Sequence, residues 1–346
     1  YRSPFTDEDA FIEDINRILK ETQAKFLLPS HDETVILAKH RDKLPVDVIL
    51  PIDDYEKLVF ANDKYQMAEF ANKIGVSVPL VIKYNNTGEL KRLLDKEMKY
   101  VVKTRKGNGS KGVFYPSDLT DVILTVENIV RDFNLSVNRF PVVQERIVGD
   151  GWGVSCIYWK GERVSSFTHK RLEEKILKGG TSTLRVSKQN PILEDYAHNI
   201  LDKLKWHGLA MVEFKYNEQS KEGWFIEVNP RLWGSISLAA ASGIDFPGLL
   251  YTAATKGKDG ALQYLDNKIF KENIVARWLI GDVIRKILLL KKGNLLQFFK
   301  EFKFRANIYD DLSFTDLRSS LGQASYYIFN LIKYRSTNPT NKEMLD

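Results

Sequence analysis

Two short apolar runs, LAMVEFKY at residues 209–216 and GWFIEVNPR at residues 223–231, determine how the rest of the chain is interpreted. The segment NEQSKE between them is polar and has turn chemistry, so the two runs are predicted to form an antiparallel hairpin. We place Tyr216 opposite Trp224, which sets the register of every other pair along the two strands. The side chains of each strand then alternate between two faces.

One face of this hairpin collects oxygen-bearing side chains. The register sets Glu213 opposite Glu227. Alternation adds Asn229 and Arg231 to the same side and turns Ile226 to the other. Like charges directly opposite each other are destabilising, so this face needs a compensating cation. Oxygen ligands without His or Cys suit Mg²⁺ or Mn²⁺, which also keep waters and substrate phosphates. A surface hairpin whose acids face water is the alternative, and the apolar second face disfavours it.

The composition is that of an ordinary globular protein. Of 346 residues, 43% are hydrophobic and 28% are charged, which predicts two or three domains. The single cysteine, Cys156, excludes a disulfide framework and fits a reducing compartment, so we expect a cytoplasmic location. No apolar run approaches the length of a membrane span. The sequence begins at Tyr1 without a methionine, which leaves open a preceding segment with a targeting signal.

Residues 1–54 show the alternation of a parallel βαβ unit. Residues 6–20 have a helix start signal at Thr6 and apolar positions at helical spacing. The apolar runs AKFLLPS and VDVILP are predicted strands on either side of a second helix. A nucleotide-type sheet normally begins with a further strand and a glycine-rich turn. We therefore expect this segment to be part of a Rossmann-like domain.

A glycine-rich turn lies between two predicted strands. KYVVKT is a buried-type strand that carries Lys103, and it runs directly into RKGNGSKGVFY. The turn alternates glycines with polar or basic residues: Gly107, Gly109 and Gly112 with Lys106, Ser110 and Lys111. Such a loop can close its amides over phosphates. It matches neither the dinucleotide-binding motif nor the P-loop, which disfavours both folds. An ordinary flexible hairpin is the alternative.

Together these motifs resemble the ATP-grasp superfamily over residues 55–258. The likeness rests on Lys64 after Asp63, Lys103 before GNGSKG, the linker VQERIV, and Glu213 followed by EVNPR. It implies a fold of α/β and α+β class in which two α+β subdomains grip ATP, preceded by a partial Rossmann-like domain and followed by a helical region. The expected divisions are 1–77 for the partial Rossmann-like domain with the first grasp helix, 78–146 for the lid subdomain, 147–258 for the catalytic subdomain and 259–346 for the C-terminal region.

The resemblance also implies roles for individual residues. It implies ATP contacts for Lys64, Lys103, Gly107, Gly109, Ser110, Lys111, Gly112, Glu145, Arg146, Val148 and Asp150. It implies that Glu213, Glu227 and Asn229 hold two Mg²⁺ or Mn²⁺ ions, and that Arg231 and Lys103 act in catalysis. One departure concerns the ribose of ATP. Many members carry Glu or His after the position of Gly149, where this chain has Asp150 and Trp152.

The implied activity is the ATP-dependent joining of a carboxylate to an amine. The γ-phosphoryl group would pass to the carboxylate, and the amine would attack the resulting acyl phosphate. The stretch THKRLEEKILKGGTSTLR resembles a subgroup of predicted carboligases and short carbamoyl-phosphate-synthase-like proteins. Its Lys170, Arg171 and Arg185 are candidates for binding the acceptor. Three alternatives stay open: carboxylation through carboxyphosphate, phosphorylation without ligation, and a nucleotide-binding regulator without catalysis.

The region after residue 258 is basic and aromatic. IVARWLIGDVIRKILLLKK places apolar residues at helical spacing with basic residues between them, and Gly281 and Gly293 divide it into pieces too short to span a bilayer. We expect a helical subdomain packed on the catalytic core. The alternative is an amphipathic surface for anionic membrane or a membrane-bound partner. Small-molecule substrates are expected and nucleic acid is not, because no reader motif accompanies the charge. A homodimer is left open.

Overall fold

The computed structural model describes residues 1–107, 112–176, 179–266, 270–301, 306–312 and 316–334. Within them the chain folds into two sheets surrounded by helices. The strands are β1 Val81–Ile82, β2 Tyr100–Lys103, β3 Val113–Phe114, β4 Val142–Glu145, β5 Asp150–Trp159, β6 Glu162–Ile176, β7 Gly179–Ser187, β8 Gly208–Asn217, β9 Glu222–Asn229, β10 Val275–Arg277 and β11 Ile308–Tyr309. The α-helices are α1 Glu8–Thr22, α2 Glu33–Lys39, α3 Tyr55–Asn62, α4 Lys64–Lys73, α5 Thr87–Leu93, α6 Leu119–Asp132, α7 Pro191–Lys203, α8 Ile236–Ala241, α9 Phe246–Leu265, α10 Leu279–Lys291, α11 Leu295–Glu301 and α12 Leu317–Tyr334.

The N-terminal segment contains α1, α2 and one parallel β-bridge. Asp7 caps α1 by accepting a hydrogen bond from the backbone N–H of Ala10 at 2.9 Å. The two predicted strands, AKFLLPS and VDVILP, meet only at Phe26 and Ile49. A proline follows each of these two residues within three positions, and proline cannot donate to a ladder. The predicted parallel direction is therefore present, whereas the pairing is much shorter than predicted.

The smaller sheet has the strand order β1–β4–β2–β3. Strands β2 and β4 are antiparallel, with Lys103 opposite Val142. Helices α5 and α6 cover one face of this sheet, and Leu90 and Val126 are completely buried there. Because side chains alternate along β2, Val102 joins that apolar cluster while Lys103 lies on the opposite face. One face of the sheet is thus packed, and the other is left for a site.

The larger sheet has the strand order β11–β10–β7–β6–β5–β8–β9. Its last two strands are the hairpin predicted from the sequence. Glu213 lies directly opposite Glu227 in this hairpin, so the predicted pairing of the two acids is confirmed. Strand β5 lies next to β8 and pairs Gly153 with Glu213. The acid pair therefore sits near the β9 edge of the sheet, two strands from β6.

The predicted pairing of Tyr216 with Trp224 is wrong by one residue. Tyr216 lies opposite Gly223, and Trp224 lies opposite Lys215. The shift arises between the acid pair and the next pair along the ladder, where β9 contains one extra residue, Ile226. A β-bulge of this kind moves every later pair by one position and changes the face that the extra side chain occupies.

Two apolar cores lie against the larger sheet. One joins α1, α2, α3, α4 and α7 to the sheet and includes the buried side chains of Trp152 and Phe214. The other packs α8 and α9 against the sheet through Phe167, Phe246 and Leu249. Burying one such side chain contributes roughly 1.5–3 kcal/mol, so these contacts hold the sheet firmly in place. The strands that carry the acids are therefore a rigid support.

The region after residue 258 is largely helical, as expected, and it also extends the larger sheet. Strand β10 pairs antiparallel with β7, and Ala276 lies opposite Arg185. Strand β11 then pairs parallel with β10. Helix α10 packs against β6 and β7. Among the residues that the structure describes, no helix is both long and apolar enough to cross a membrane.

Candidate active site

A cleft of about 310 Å³ lies between the two sheets. The connection from β4 to β5, residues 146–149, closes one end of it. The charged side chains that line the cleft come from both sheets and from the start of α4: Lys64, Lys103, Glu145, Arg146, Arg171, Glu174, Glu213, Lys215 and Glu227. The cleft thus gathers most of the residues that the sequence singled out.

Lys64 is placed in the cleft by the start of α4. Asp63 caps this helix, and its carboxylate accepts hydrogen bonds from two backbone N–H groups of the first turn at 3.0 Å. The Lys64 ammonium donates to the carbonyl of Gly107 and lies 3.4 Å from the Glu227 carboxylate. This lysine therefore connects the beginning of the glycine-rich turn with the acid pair.

Lys103 is a buried cation on β2. Its side chain lies on the cleft face of the smaller sheet and is only 6% exposed. Burial lowers the pKa of Lys103 to about 8, although the nearby carboxylate of Glu227 acts in the opposite direction. An anion that enters the cleft would favour the charged form of this amine. Lys103 is thus suited to binding an anionic group such as a phosphate.

Glu213 and Glu227 form a largely buried acid pair, with side chains that are 15% and 19% exposed. Arg171 Nη2 lies 2.6 Å from Glu213 Oε1, and Asn229 Nδ2 donates to the same oxygen at 3.0 Å. Burial raises the pKa of Glu213, with Arg171 acting against it and Glu227 adding to it. Burial acts on Glu227 as well, but Lys64, Lys103 and Arg171 outweigh it and lower the pKa of that carboxyl. The negative charge of the pair therefore rests first on Glu227.

Arg171 reaches the acid pair because glycines leave room on the strand between them. Arg171 is on β6 and Glu213 is on β8, with β5 in the middle. A Cβ atom at Gly151 would lie 3.0 Å from Arg171 Cδ, and one at Gly153 would lie 2.5 Å from His169 Cε1. A side chain of β6 can therefore lie across β5 only at a position where β5 has a glycine.

The oxygen atoms around the acid pair fit a hard divalent cation. Glu213 and Glu227 face each other in register, and the Asn229 side chain contacts the first of them. Carboxylate and amide oxygens are the ligands that Mg²⁺ prefers. Within the described part of the chain, no three or more His, Cys, Asp or Glu residues are grouped so that they could hold a metal ion. A cation here would thus complete its coordination with Asn229, water or a phosphate.

The connection between the sheets carries the residues expected at the base of a nucleotide. Glu145, Arg146 and Val148 all line the cleft. The backbone N–H of Arg146 donates to the carbonyl of Lys99 at 2.8 Å. The Arg146 guanidinium lies over the ring of Tyr115, 5.3 Å from its centroid. These contacts hold the connection in one geometry.

Asp150 and Lys170 pair with each other at the edge of the larger sheet. Lys170 Nζ lies 2.7 Å from Asp150 Oδ2 and 2.8 Å from Glu218 Oε1. Neither residue of this pair belongs to the lining of the cleft, whereas Glu174 and Lys215 do. The structure therefore does not bring Asp150, expected near the ribose, or Lys170, expected near the acceptor, into the cleft.

Arg185 is buried away from the cleft. Its side chain is 2% exposed, forms an ion pair with Asp310, and donates to the carbonyl of Gly234 at 3.3 Å. Asp310 also accepts a hydrogen bond from Ser237. The group ties β7 and the residue after β11 to the loop between β9 and α8. Its position gives Arg185 a structural contact rather than contact with an acceptor in the cleft.

Arg231 follows β9 and lies beside the acid pair. Its Nη2 donates to Asn229 Oδ1 at 3.3 Å, and its Nη1 donates to the carbonyl of Leu232 at 2.8 Å. Its Nε lies 3.1 Å from the Asp32 carboxylate. Asp32 belongs to the N-terminal segment, and the sequence had not singled it out as a site residue. Arg231 is thus held from two sides with its guanidinium close to the candidate metal ligands.

The glycine-rich turn is described only at its two ends. Gly107 and Gly112 have φ values of 110° and 73°, in the left-handed region that favours glycine. Gly109, Ser110 and Lys111, the other expected phosphate contacts, lie outside the described residues. The turn therefore leaves β2 and enters β3 through glycines at positions that require them.

Some residues that line the cleft were not expected from the sequence: Tyr115, Glu174, Lys215 and Ile226. Lys215 could have been found, because it follows Glu213 by two positions on the same strand. Glu174 and Ile226 could not, because the pairing of β6 and of β9 is irregular at these residues. Such irregularities change the face that a side chain occupies and have no reliable signal in one sequence.

Comparisons with known proteins bear on the fold of this chain. Among curated proteins, an uncharacterized protein of Methanocaldococcus jannaschii is 22% identical over 298 residues, which cover 83% of this chain and 72% of that protein. The biotin carboxylase domain of 2-oxoglutarate carboxylase from Hydrogenobacter thermophilus, solved with MgADP, ADP and bicarbonate, superposes with a TM-score of 0.58 at 13% identity, covering 76% of this chain and 60% of that chain. L-amino acid ligase from Bacillus licheniformis gives a TM-score of 0.55 at 17% identity, covering 73% and 61%.

The chain spans about three fifths of the length of these two solved structures. At such low identities they show a shared fold, and the expected fold is confirmed. Residues 61–235, a little over half of the chain, match the family model described as the ATP-grasp domain. This chain belongs to the ATP-grasp family.

Proposed function

We propose that this chain is an ATP-dependent ligase that activates a carboxylate as an acyl phosphate and joins it to an amine. The observation that carries the proposal is the acid pair Glu213–Glu227, set in register in a cleft that also contains Lys64 and Lys103. A cleft with acids for a cation and lysines for phosphates suits MgATP. The similarity to L-amino acid ligase supports ligation as the reaction.

In this proposal each side of the cleft holds one part of the nucleotide. The connection at residues 146–148 faces the base, and Lys64 and Lys103 contact the phosphates as compact point charges. Glu213, Glu227 and Asn229 would hold Mg²⁺, which neutralises charge on phosphate oxygens when it is bound. Two such ions, as the family resemblance implies, are part of the proposal.

The reaction needs no covalent bond between enzyme and substrate. A carboxylate oxygen attacks the γ-phosphorus of ATP, the bond to the β–γ bridging oxygen breaks, and ADP leaves. The amine then attacks the acyl carbon. Inorganic phosphate leaves and takes with it the carboxylate oxygen that had attacked the phosphorus, and the amine nitrogen releases a proton. Arg231, held by Asp32 beside Asn229, stabilises the negative charge that develops during these steps.

The lining of the cleft supports a smaller set of candidates for recognising the acceptor. Of the three candidates, Arg171 alone lines the cleft, and there it pairs with Glu213. Arg231 and Asp32 lie outside the cleft lining but next to it, because Arg231 donates to Asn229 and pairs with Asp32. We therefore assign acceptor recognition to the surroundings of these two residues, with Arg171 as the cation that positions the acid pair. Arg231 suits this role because its planar guanidinium group can form two parallel hydrogen bonds with a carboxylate.

A second candidate is carboxylation through carboxyphosphate. The similarity to a biotin carboxylase domain that was solved with bicarbonate favours it. In that reaction bicarbonate takes the place of the first carboxylate, and the same cleft residues serve the phosphoryl transfer. A regulator without catalysis is disfavoured, because a nucleotide sensor does not need an arginine beside its metal ligands.

Release of ADP and of phosphate from ATP tests these functions side by side. Amino acids and sugar acids are paired with amines in the presence of Mg²⁺, and bicarbonate is added in a separate series. Ligation predicts that ADP and phosphate appear together only when a carboxylate and an amine are both present. Stimulation by bicarbonate without another carboxylate selects carboxylation, and ADP without free phosphate selects phosphorylation. ATP binding without turnover across the whole screen would contradict an enzymatic role.

A further inference from the structure

Helix α10 buries charged side chains and exposes apolar ones, which is the reverse of an ordinary surface helix. Its charged residues Asp282, Arg285 and Lys286 are buried, with 2%, 7% and 9% exposure. Its apolar residues on the other side are exposed: Val283, Ile287 and Leu290 at 49%, 47% and 46%. A helix on the surface of a globular protein normally shows the reverse arrangement. An outward apolar stripe therefore calls for an apolar surrounding.

The buried charges have partners that fix the orientation of α10. Asp282 pairs with Arg277 of β10 and with Lys286, the latter at 2.6 Å. Arg285 binds Glu301 of α11 through two hydrogen bonds of 2.6 and 2.8 Å and also donates to the carbonyl of Glu174 in β6. Rotating the helix to bury its apolar stripe would break the contacts with Arg277, Glu301 and Glu174. The packing of the buried charges therefore fixes the apolar stripe of α10 in its outward position.

The two helices that follow α10 also expose apolar side chains. Helix α11 is fixed to α10 by the Arg285–Glu301 pair and exposes Leu295, Leu296 and Phe299. Helix α12 packs Tyr327 against Trp278, just before α10, with ring centroids 5.7 Å apart. Its outward residues are Leu317, Leu321, Ile328, Phe329 and Ile332, each more than half exposed. Exposed apolar side chains in such number mark an interaction surface.

The charge around these helices favours an anionic partner. Their exposed basic residues are Lys291, Lys292, Lys300, Arg318 and Lys333. In the described part of the same region, residues 279–334, one exposed acid stands against them, Asp316. A second copy of the chain would bring the same five cations against themselves, which opposes association. An anionic lipid surface offers apolar depth and negative charge together.

We propose that the outward faces of α10, α11 and α12 form a docking surface that lies in the headgroup region of an anionic bilayer. The helices would lie in the plane of the membrane, with apolar side chains inserted and lysines at the level of the headgroups. The catalytic cleft is not part of this surface. The proposal therefore stands whether or not the ligase activity does.

Vesicle flotation with the full chain tests the proposal. The probes are vesicles of phosphatidylcholine alone and vesicles that also contain phosphatidylglycerol, each at about 0.05 and 0.5 M salt. We expect flotation only with the anionic vesicles and less of it at high salt. Ile287→Gln combined with Leu290→Gln should abolish flotation. Lys291→Gln combined with Lys292→Gln should weaken the partition roughly thirtyfold, at about one kilocalorie per charge.

The matched control is Leu93→Gln combined with Leu124→Gln, two leucines of α5 and α6 that are 48% and 51% exposed. It should float like the unaltered chain, and nucleotide binding should be the same in every variant. A chain that stays with the bottom fraction, or variants that all behave alike, would overturn the proposal. So would a dimer in light scattering that dissociates in the Ile287→Gln and Leu290→Gln variant, because a second copy would then cover this face. The lysine variant changes only exposed groups and decides the matter even where the apolar variant fails to fold.

Discussion

Gly153 leaves room for a neighbouring side chain in the larger sheet. A Cβ atom there would lie 2.5 Å from the ring of His169, which is buried and stacks on Phe167. Gly153→Ala should therefore lower the free energy of unfolding by about 1–3 kcal/mol, the usual cost of overpacking. Urea unfolding measures it. Gly322→Ala on α12, where a Cβ meets nothing within 4 Å, is the control and should be neutral or stabilising. Equal losses in both variants would contradict the steric argument.

Glu227 is the residue on which turnover should depend most strongly. Glu227→Gln keeps the volume but removes the charge that faces Lys64 and the candidate cation. We expect kcat for ATP turnover to fall by at least about a hundredfold, as for other groups that stabilise transition-state charge. Steady-state ADP release at saturating Mg²⁺ measures the effect, and the circular dichroism spectrum should stay the same. A variant with normal activity and normal magnesium dependence would remove Glu227 from the site.

Lys103 should give nucleotide binding a pH signature. Burial lowers the pKa of its amine to about 8, so near pH 8 about half of the molecules carry it neutral. Phosphate favours the charged form and raises the pKa again, and binding at pH 8 should therefore take up about half a proton. At pH 6.5 the amine is already charged and uptake should approach zero. Titration calorimetry in two buffers of different ionisation enthalpy measures this, and equal uptake at both pH values would argue against contact with Lys103.

At the scale of single residues, the sequence predicts the position of a side chain where that position depends only on the alternation of faces along one strand. The facing of Glu213 and Glu227 followed from the register of one hairpin, because side chains alternate in a strand. The position of Arg171 did not follow, since it depends on glycines in a different strand that let its side chain cross β5. Asp32 was missed for a related reason: its contact with Arg231 joins residues 199 positions apart.

Among the elements, strand β9 shows how one extra residue redirects a site. The bulge at Ile226 keeps the acid pair in register and shifts the pairs beyond it, so that Tyr216 faces Gly223. As a consequence Ile226, expected on the other face, lines the cleft. Hairpin composition predicted the two strands, whereas the bulge depends on packing against the rest of the sheet.

The ion pair between Arg185 and Asp310 should stabilise the loop that follows β9. Asp310→Asn leaves Arg185 buried at 2% exposure without its counter-charge and weakens the bond to Ser237. Removing one partner of a buried pair costs about 3–5 kcal/mol, so we expect a loss of that order in the free energy of unfolding. Chemical denaturation measures it.

The control for this variant is the exposed pair Lys25–Asp47, whose side chains are 65% and 58% exposed. Asp47→Asn should leave stability nearly unchanged, because water screens such pairs. Hydrogen exchange at residues 231–237 should quicken in Asp310→Asn alone. If the two variants were equally mild, the buried pair would not be what holds this loop.

For the whole molecule, the larger sheet does not end where the family likeness ends. The family model matches up to residue 235 and the resemblance in the sequence was expected to reach residue 258, yet β10 and β11 add two strands to the same sheet beyond both points. We propose that the catalytic unit extends at least to Tyr309. A chain cut after residue 258 would expose the edge of β7 and leave Arg185 without Asp310, so it should not unfold cooperatively. A chain ending at residue 334 retains every described element and should unfold like the full chain. Near-ultraviolet circular dichroism during thermal unfolding compares them, and a cooperative transition in the shorter chain would contradict this boundary.

At the largest scale the sequence predicted the class of fold and the order of its parts. Motif order from Lys64 to Arg231 was enough for that, because each motif marks a helix start, a strand or a turn. The extent of the sheets could not be predicted. The runs AKFLLPS and VDVILP look like strands but make a single bridge, whereas β11 is two residues long and has no alternating pattern to reveal it.

Glu174 belongs to two environments at once. It lines the candidate cleft, and its backbone carbonyl accepts a hydrogen bond from Arg285 of helix α10. Suppose that membrane binding at the outer face of α10 shifts this carbonyl and so changes the affinity of the cleft for nucleotide by some factor. The nucleotide must change the affinity of that outer contact by the same factor. Through one peptide group in β6, membrane binding at the outer face of α10 and nucleotide binding in the cleft would each change the affinity of the other.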